Sequence, residues 1–244
     1  MLRECSMEDI SDGRTYELND MVKCDTGNCQ GCHKCCTGMG TSIILDPFDI
    51  WRLKNGLSLG FEEMLNREFI ELNMVDGMIL PNLKMNEKNA CAFLDENGRC
   101  SIHNERPGIC RLFPLGRVYQ DEGFKYFVQK GQCINEGKLA KIKVKKWIDT
   151  DNIAQNQVFV LKWHSFIRHI GDKMIKLRDS GKGDMLNEIA MYILNEFFVK
   201  NFSPDEKTNT EGLNGDVNDD KMFVYDSILN KIDEAYKNID KLAG

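Results

Sequence analysis

No stretch of eighteen consecutive apolar residues occurs in the chain, so no segment reads as a membrane-spanning helix. Positive charge is in deficit: 32 Lys and Arg against 38 Asp and Glu leave a net charge of −6. That balance speaks against a general nucleic-acid footprint and against attraction to anionic lipid. The first nine residues include Glu4, Glu8 and Asp9 and offer neither the basic start nor the apolar core of an export signal. The expected compartment is therefore the reducing cytoplasm. Cysteine is missing from the last 111 residues, which confines any thiol chemistry to what precedes them.

Elsewhere cysteine is abundant. Ten are present, and eight of them fall between Cys29 and Cys133. Cytosolic thiols rarely end in structural disulfides, and buried apolar cysteines would scatter with the core. Clustering of this kind points to metal ligation or redox chemistry. The densest run is Cys29-Gln30-Gly31-Cys32-His33-Lys34-Cys35-Cys36. Its two-residue spacings turn successive thiolates inward around one centre, as in zinc sites and ferredoxin-type runs. Neighbouring side chains point apart, so Cys35 and Cys36 are expected to play unequal roles. Either they serve different centres, or one ligates while the other stands behind it.

Cys91, Cys100, Cys110 and Cys133 follow at wider spacings of 8, 9 and 22 intervening residues. The Asn97-Gly98 turn predicts a hairpin that brings Cys91 and Cys100 together across paired strands. Eight cysteines suffice for two four-thiolate centres without requiring them. Cys5 and Cys24 lie outside the main blocks, each a spare ligand or a plain thiol.

The pattern along the chain predicts an α+β fold, in which a small cysteine-rich metal-binding domain with short hairpins packs against helices and a mainly helical part follows. Residues 1–23 read as a lead-in, 24–147 as the cysteine domain and 148–202 as a helical extension. Residues 203–220 carry six acidic residues against one lysine and read as a flexible acidic linker. Residues 221–244 read as a terminal helix that docks on the domain or pairs with a second copy. Asp46, Pro47 and Asp49 predict a helix start, with Gly56 as its stop. A second helix is expected over Phe61–Leu72, and short strands from Asn73 to Gln129. Asp76-Gly77 and Asp121-Glu122-Gly123 mark further hairpins. The basic run Lys138–Lys146 reads as a solvated face with Ile142 and Val144 turned inward rather than as a patch for an acidic partner. Val160, Trp163, Ile167, Ile170, Met174 and Leu177 trace a long packed helix, and Asp184 is placed to cap another over Met185–Val199.

The Cys29–Cys36 run, Ile44-Leu45-Asp46 with Asp49, and Cys91-Ala92-Phe93-Leu94-Asp95 recur in order with Gly98–His103 and Arg106–Pro114. Together these blocks resemble the YkgJ-type cysteine-cluster family, whose members are described as zinc or iron chelators. The match spans roughly residues 24 to 135 and implies metal binding. That family is in turn similar to flagellin lysine-N-methylase, which implies an iron–sulfur centre used with S-adenosylmethionine. No Gly-rich loop of the dinucleotide type is present to hold a methyl donor, and Gly38-Met39-Gly40 is too short to serve.

The predicted ligands are thus Cys29, Cys32, Cys35, Cys36, Cys91, Cys100, Cys110 and Cys133. Arg106 and Arg111 are candidates for holding the cofactor, since a four-thiolate centre carries net negative charge, and Arg99 is a weaker one. His33 and His103 could each replace a thiolate. His164 and His169 are five apart on the long helix, out of line for one ion, and read as structural. Catalytic residues are not identifiable. The asymmetric spacing favours an iron–sulfur cluster, of the 4Fe-4S kind, over zinc. Three functions follow: redox or modification chemistry on a protein or small-molecule substrate with an electron-transfer partner; a zinc-stabilised binding module; or a metal carrier.

Overall fold

Asp46 sets the frame for the cysteine domain. Its extended backbone and its Oδ1, which accepts the Asp49 amide at 2.8 Å, start helix α2 (Pro47–Leu57). Asp49 returns the bond through Oδ2 to the Asp46 amide at 3.3 Å. This reciprocal box satisfies two amides that have no partner inside the helix. Ser58, in the left-handed conformation, ends α2. The computed structural model describes residues 6–25, 33–132, 139–202 and 217–243.

The chain is α+β. Helix α1 (Met7–Ile10) and strand β1 (Met21–Asp25) lead into α2 and the short α3 (Phe61–Asn66). The expected second helix stops six residues early. Arg67 caps it, Glu68 turns to φ +59°, and Ile70 begins strand β2 (Ile70–Val75). Strand β2 pairs antiparallel with β3 (Met78–Leu83) through Asp76-Gly77, both at positive φ as a tight hairpin requires. Helix α4 (Gly108–Leu112) precedes the hairpin of β4 (Leu115–Tyr119) and β5 (Phe124–Val128), the expected third turn. Strand β6 (Ala140–Lys143) returns to pair with β1 and runs into α5 (Val144–Ile148). Val144 is fully buried and Ile142 packs beneath it, so this basic run is the outer face of a packed element.

The rest of the described chain is helical: α6 (Ile153–Asp179), α7 (Gly183–Leu194) with a π-turn over Asn195–Val199, and α8 (Val217–Ala243). Asp184 does not cap α7; it lies in the first turn, one residue inside a start at Gly183. Most of the expected linker lies outside the described residues, and α8 begins at Val217, inside its predicted end.

Two apolar clusters hold these parts. The larger joins α2, β2, β3, α6, α7 and α8. In it Phe48 stacks on Tyr225 with centroids 4.0 Å apart, and Trp163, Phe166 and Phe197 interlock. Helix α8 docks within the molecule: Val224, Tyr225, Ile228, Ile232, Ala235 and Ile239 are all buried. Burying five such large side chains contributes on the order of 10 kcal/mol before conformational entropy is counted. Lys54 lies across the end of the π-turn, its Nζ donating to the carbonyls of Phe198 at 2.8 Å and Val199 at 2.9 Å. The smaller cluster gathers Val22, Cys24, Leu112, Leu115, Tyr126, Val144 and Ile148 beneath the β1–β6 and β4–β5 ribbons. The thiol site lies between the two: Cys91 belongs to the larger cluster, Cys36 and Cys110 pack against it, and Ile142 and Trp147 of the smaller one complete the wall.

Candidate metal centre

Three backbone segments bring thiols to one place. The first is the 3-10 turn Lys34–Cys36, in which the His33 carbonyl accepts the Cys36 amide at 2.9 Å. The second is the loop from Cys91 to Cys100. The Cys36 carbonyl accepts the Cys91 amide at 2.7 Å, and Gly38 donates to Asn89 at 2.8 Å, so the two segments run side by side. Asp95 shapes the turn that follows, its Oδ1 accepting the amides of Asn97 at 2.9 Å and Arg99 at 2.8 Å. Gly98 sits at φ +71°, and a Cβ there would stand 3.1 Å from His33 Nδ1. The expected hairpin is reduced to single bridges, Leu94 to Cys100 and Met85 to Cys91, because the Asp95 carboxylate takes up the amides a ladder would use. The third segment is α4, which carries Cys110.

Cys35, Cys36, Cys91, Cys100 and Cys110 all line one cavity of about 630 Å³. Burial raises the pKa of Cys91, Cys100 and above all Cys110, and the neighbouring thiols raise each further. The Cys35 and Cys36 sulfurs lie 3.6 Å apart and share a hydrogen bond, which lowers Cys35 to about 7 and pushes Cys36 up in turn. The expectation that these neighbouring side chains point apart does not hold: both thiols reach the same cavity. Cys36, Cys91, Cys100 and Cys110, held protonated by burial and by neighbouring thiols, fit a bound cation or a metal cluster, whose charge lets them ionise together.

Among the described residues, no three Cys, His, Asp or Glu side chains are grouped closely enough to hold a single ion. Cys5, Cys29, Cys32 and Cys133 lie outside the described residues. Cys24 is fully buried in the smaller apolar cluster, away from the cavity.

The arginines divide their work. Arg106 lines the cavity, and its charge favours the thiolate forms of Cys35 and Cys100. Its Nη1 lies 3.0 Å from the His103 ring nitrogens and donates to the His103 carbonyl at 2.8 Å. Burial first, then the Arg106 charge, lowers the His103 pKa, which keeps that ring neutral. Arg111 is spent on backbone: Nε donates to the Arg106 carbonyl at 3.2 Å, Nη1 to the Asp149 carbonyl at 2.5 Å, and Nη2 to the Asn104 carbonyl. It pins α4 to the loops on either side. Arg99 is exposed at the rim, and His33 is exposed beside Gly98.

Two residues beyond the sequence reading build the site. Asp49, expected only to cap α2, also accepts the Gly108 amide through Oδ1 at 2.7 Å and so ties α2 to the start of α4. Trp147 donates from Nε1 to the Phe113 carbonyl at 3.1 Å and holds the other end of α4. The Asp46-Pro47-x-Asp49 capping pattern marks Asp49 in the sequence; nothing there marks Trp147. His164 stacks on Tyr119 with centroids 3.5 Å apart, and His169 faces Asp240 at 3.9 Å, neither near the thiols.

Comparison with known families finds a match over residues 28–151 to the CxxCxxCC model, described as a putative zinc- or iron-chelating domain. No curated protein and no solved structure matches the chain.

Proposed function

Since the chain belongs to the CxxCxxCC family of zinc- or iron-chelating domains, we propose that its clustered cysteines hold an iron–sulfur cluster of the 4Fe-4S kind. The protein would use that cluster for redox or modification chemistry. The observation that carries this reading is the convergence of five thiols on one cavity of about 630 Å³, a space large for one ion. Cys35, Cys36, Cys91, Cys100 and Cys110, with Cys29, Cys32 and Cys133, are the ligand set from which the cluster draws. A bound cluster supplies electron transfer or Lewis acidity. Around it, Arg106 offsets thiolate charge, while Arg111 and Asp49 hold α4 so that Cys110 faces the cavity. Cys35, Cys36, Cys91, Cys100 and Cys110 are free thiols, which fits a reducing compartment such as the cytoplasm. A protein or small-molecule substrate reaching the cluster would enter beside the exposed Arg99.

The test is iron, zinc and acid-labile sulfide per chain on protein purified without oxygen. Several irons with matching sulfide support the cluster and make S-adenosylmethionine binding the next assay. Zinc without sulfide replaces the reading with a zinc-stabilised binding module. Cys32→Ser and Cys110→Ser should each lower bound metal, and Cys5→Ser should not; full metal in both of the first two would overturn the ligand assignment.

A further inference from the structure

A second cavity, of about 350 Å³, lies on the other side of α4, bounded by α2, β4 and α6. Its chemistry is unlike that of the thiol cavity. Arg52, on α2, is 5 % exposed and lines it. Among the described residues the Arg52 guanidinium makes no hydrogen bond and no ion pair within 4 Å; it lies over the face of Phe48, 4.6 Å from the ring centroid, and within electrostatic reach of Asp46 and Asp49. Arg117, on β4, also lines the cavity, and its Nε is buried without a hydrogen-bond partner. The rest of the partly buried Arg117 guanidinium lies on the Phe124 ring and against the Tyr119 hydroxyl, so its Nε is the donor left over. An orphaned donor beside the unbonded Arg52 is costly, and the cavity gains by receiving an anion there.

The carboxylates nearby do not meet this need. Asp46 Oδ1 accepts the Asp49 amide, Asp49 Oδ2 accepts the Asp46 amide, and Asp49 Oδ1 accepts the Gly108 amide. Three of their four oxygens are thereby committed to backbone. They still set the charge the cavity tolerates: burial and the Asp49 charge push the Asp46 carboxyl up to about 8. At neutral pH two guanidinium groups therefore face one aspartate, and the single net positive charge is balanced by a monoanion, not a dianion. The remaining wall includes Phe48, Tyr119 and Trp163, which suits a flat apolar body.

We propose that this second cavity binds a small monocarboxylate with an apolar or aromatic body, its carboxylate received by Arg52 and Arg117. A planar carboxylate matches the fork of a guanidinium, and such charge-assisted bonds are stronger in a low-dielectric pocket. The site is separate from the thiols and does not depend on which metal they hold.

Benzoate and benzylamine, which share a ring and differ in charge, are the probes for a ligand-observed NMR titration against the full-length protein. Benzoate should bind saturably at about millimolar or tighter, and benzylamine should not. Arg52→Met and Arg117→Met, which keep a long apolar stem, should each weaken benzoate about tenfold or more while iron, zinc and sulfide content stay unchanged. Arg106→Met, in the thiol cavity, should leave benzoate binding as it was. Arg52→Lys guards against a folding defect: it keeps the charge without the fork, so affinity should fall to an intermediate value. Absence of saturable benzoate binding, equal binding of benzylamine, or undiminished binding in both methionine variants would each overturn the proposal.

Discussion

Replacing Asp49 by alanine tests the frame of the metal centre without touching a thiol. The side chain is 3 % exposed and makes two bonds: Oδ1 accepts the Gly108 amide at 2.7 Å, and Oδ2 the Asp46 amide at 3.3 Å. Leaving the Gly108 amide unsatisfied costs about 1–3 kcal/mol. Losing half of the capping box costs about 1 kcal/mol more. Against this stands relief of a carboxyl whose pKa burial has raised, so the net loss should be about 2 kcal/mol. For a chain of this size that corresponds to a melting temperature lower by roughly 4–8 °C. Asp49→Asn keeps one acceptor and should lose about 1 kcal/mol. Calorimetry gives the magnitude, and hydrogen exchange gives the location: the Gly108 amide should exchange faster in Asp49→Ala while amides in the middle of α6 keep their protection until global unfolding. An Asp49→Ala protein within about 0.5 kcal/mol of the parent, the range of a neutral surface change, would refute the bridging role.

Phe197→Ala removes a fully buried ring between Trp163 and Phe166, and denaturant titration should show a loss of about 3–5 kcal/mol with bound metal unchanged at low denaturant. In metal-free protein, burial holds the pKa values of Cys91, Cys100 and Cys110 above those of the unfolded chain. The folded state then binds more protons than the unfolded one once the solution is alkaline. Its stability should be full below the ordinary thiol pKa and fall as pH rises through and beyond it, by up to about 1.4 kcal/mol per pH unit per thiol. Denaturation of the metal-free protein above the ordinary thiol pKa, where Cys35 at about 7 is ionised in both states, checks the sign, and stability rising with alkali there would contradict the buried-thiol environment.

Local chemistry was the most legible part of the sequence. Asp46, Pro47 and Asp49 act within one helical turn, so the start of α2 could be read directly, and so could the Asp76-Gly77 and Asp121-Glu122-Gly123 turns. The expected helix over Phe61–Leu72 failed where tertiary pairing took over. Leu72 falls on helical spacing with Phe61, Leu65 and Phe69, yet it belongs to β2, where pairing with β3 and burial of Ile70 decide the outcome. Asp184 had the composition of a cap but sits one position inside α7. At the site, cysteine spacing marked eight candidate ligands without saying which share a centre; five of the eight line one cavity, and the other three lie outside the described residues. What spacing could not carry was the service of residues far away in sequence. Trp147 holds the end of α4 from 34 residues downstream, and Asp49 holds its start from 59 residues upstream. Arg106 and Arg111 looked equivalent beside Cys110, and only the hydrogen bonds separate the one that faces the thiols from the one that binds carbonyls.

Helix α4 is the element on which both cavities depend. Pro107, Cys110 and Arg111 line the thiol cavity, while Gly108, Ile109 and Leu112 line the one that holds Arg52 and Arg117. In a helix, residues 108, 109 and 112 share a face and residues 110 and 111 turn the other way, so a single five-residue helix is the partition. Its own hydrogen bonds are too few to hold it: so short a helix is not stable by itself. Its position comes from Asp49 at the start, Trp147 at the end and Arg111 along its length, each bonded to backbone rather than to a thiol. Loss of one cysteine changes one cavity and leaves the partition standing. Loss of a clamp moves the partition, so Asp49→Ala should weaken metal retention and benzoate binding together, whereas Cys110→Ser should weaken only the first.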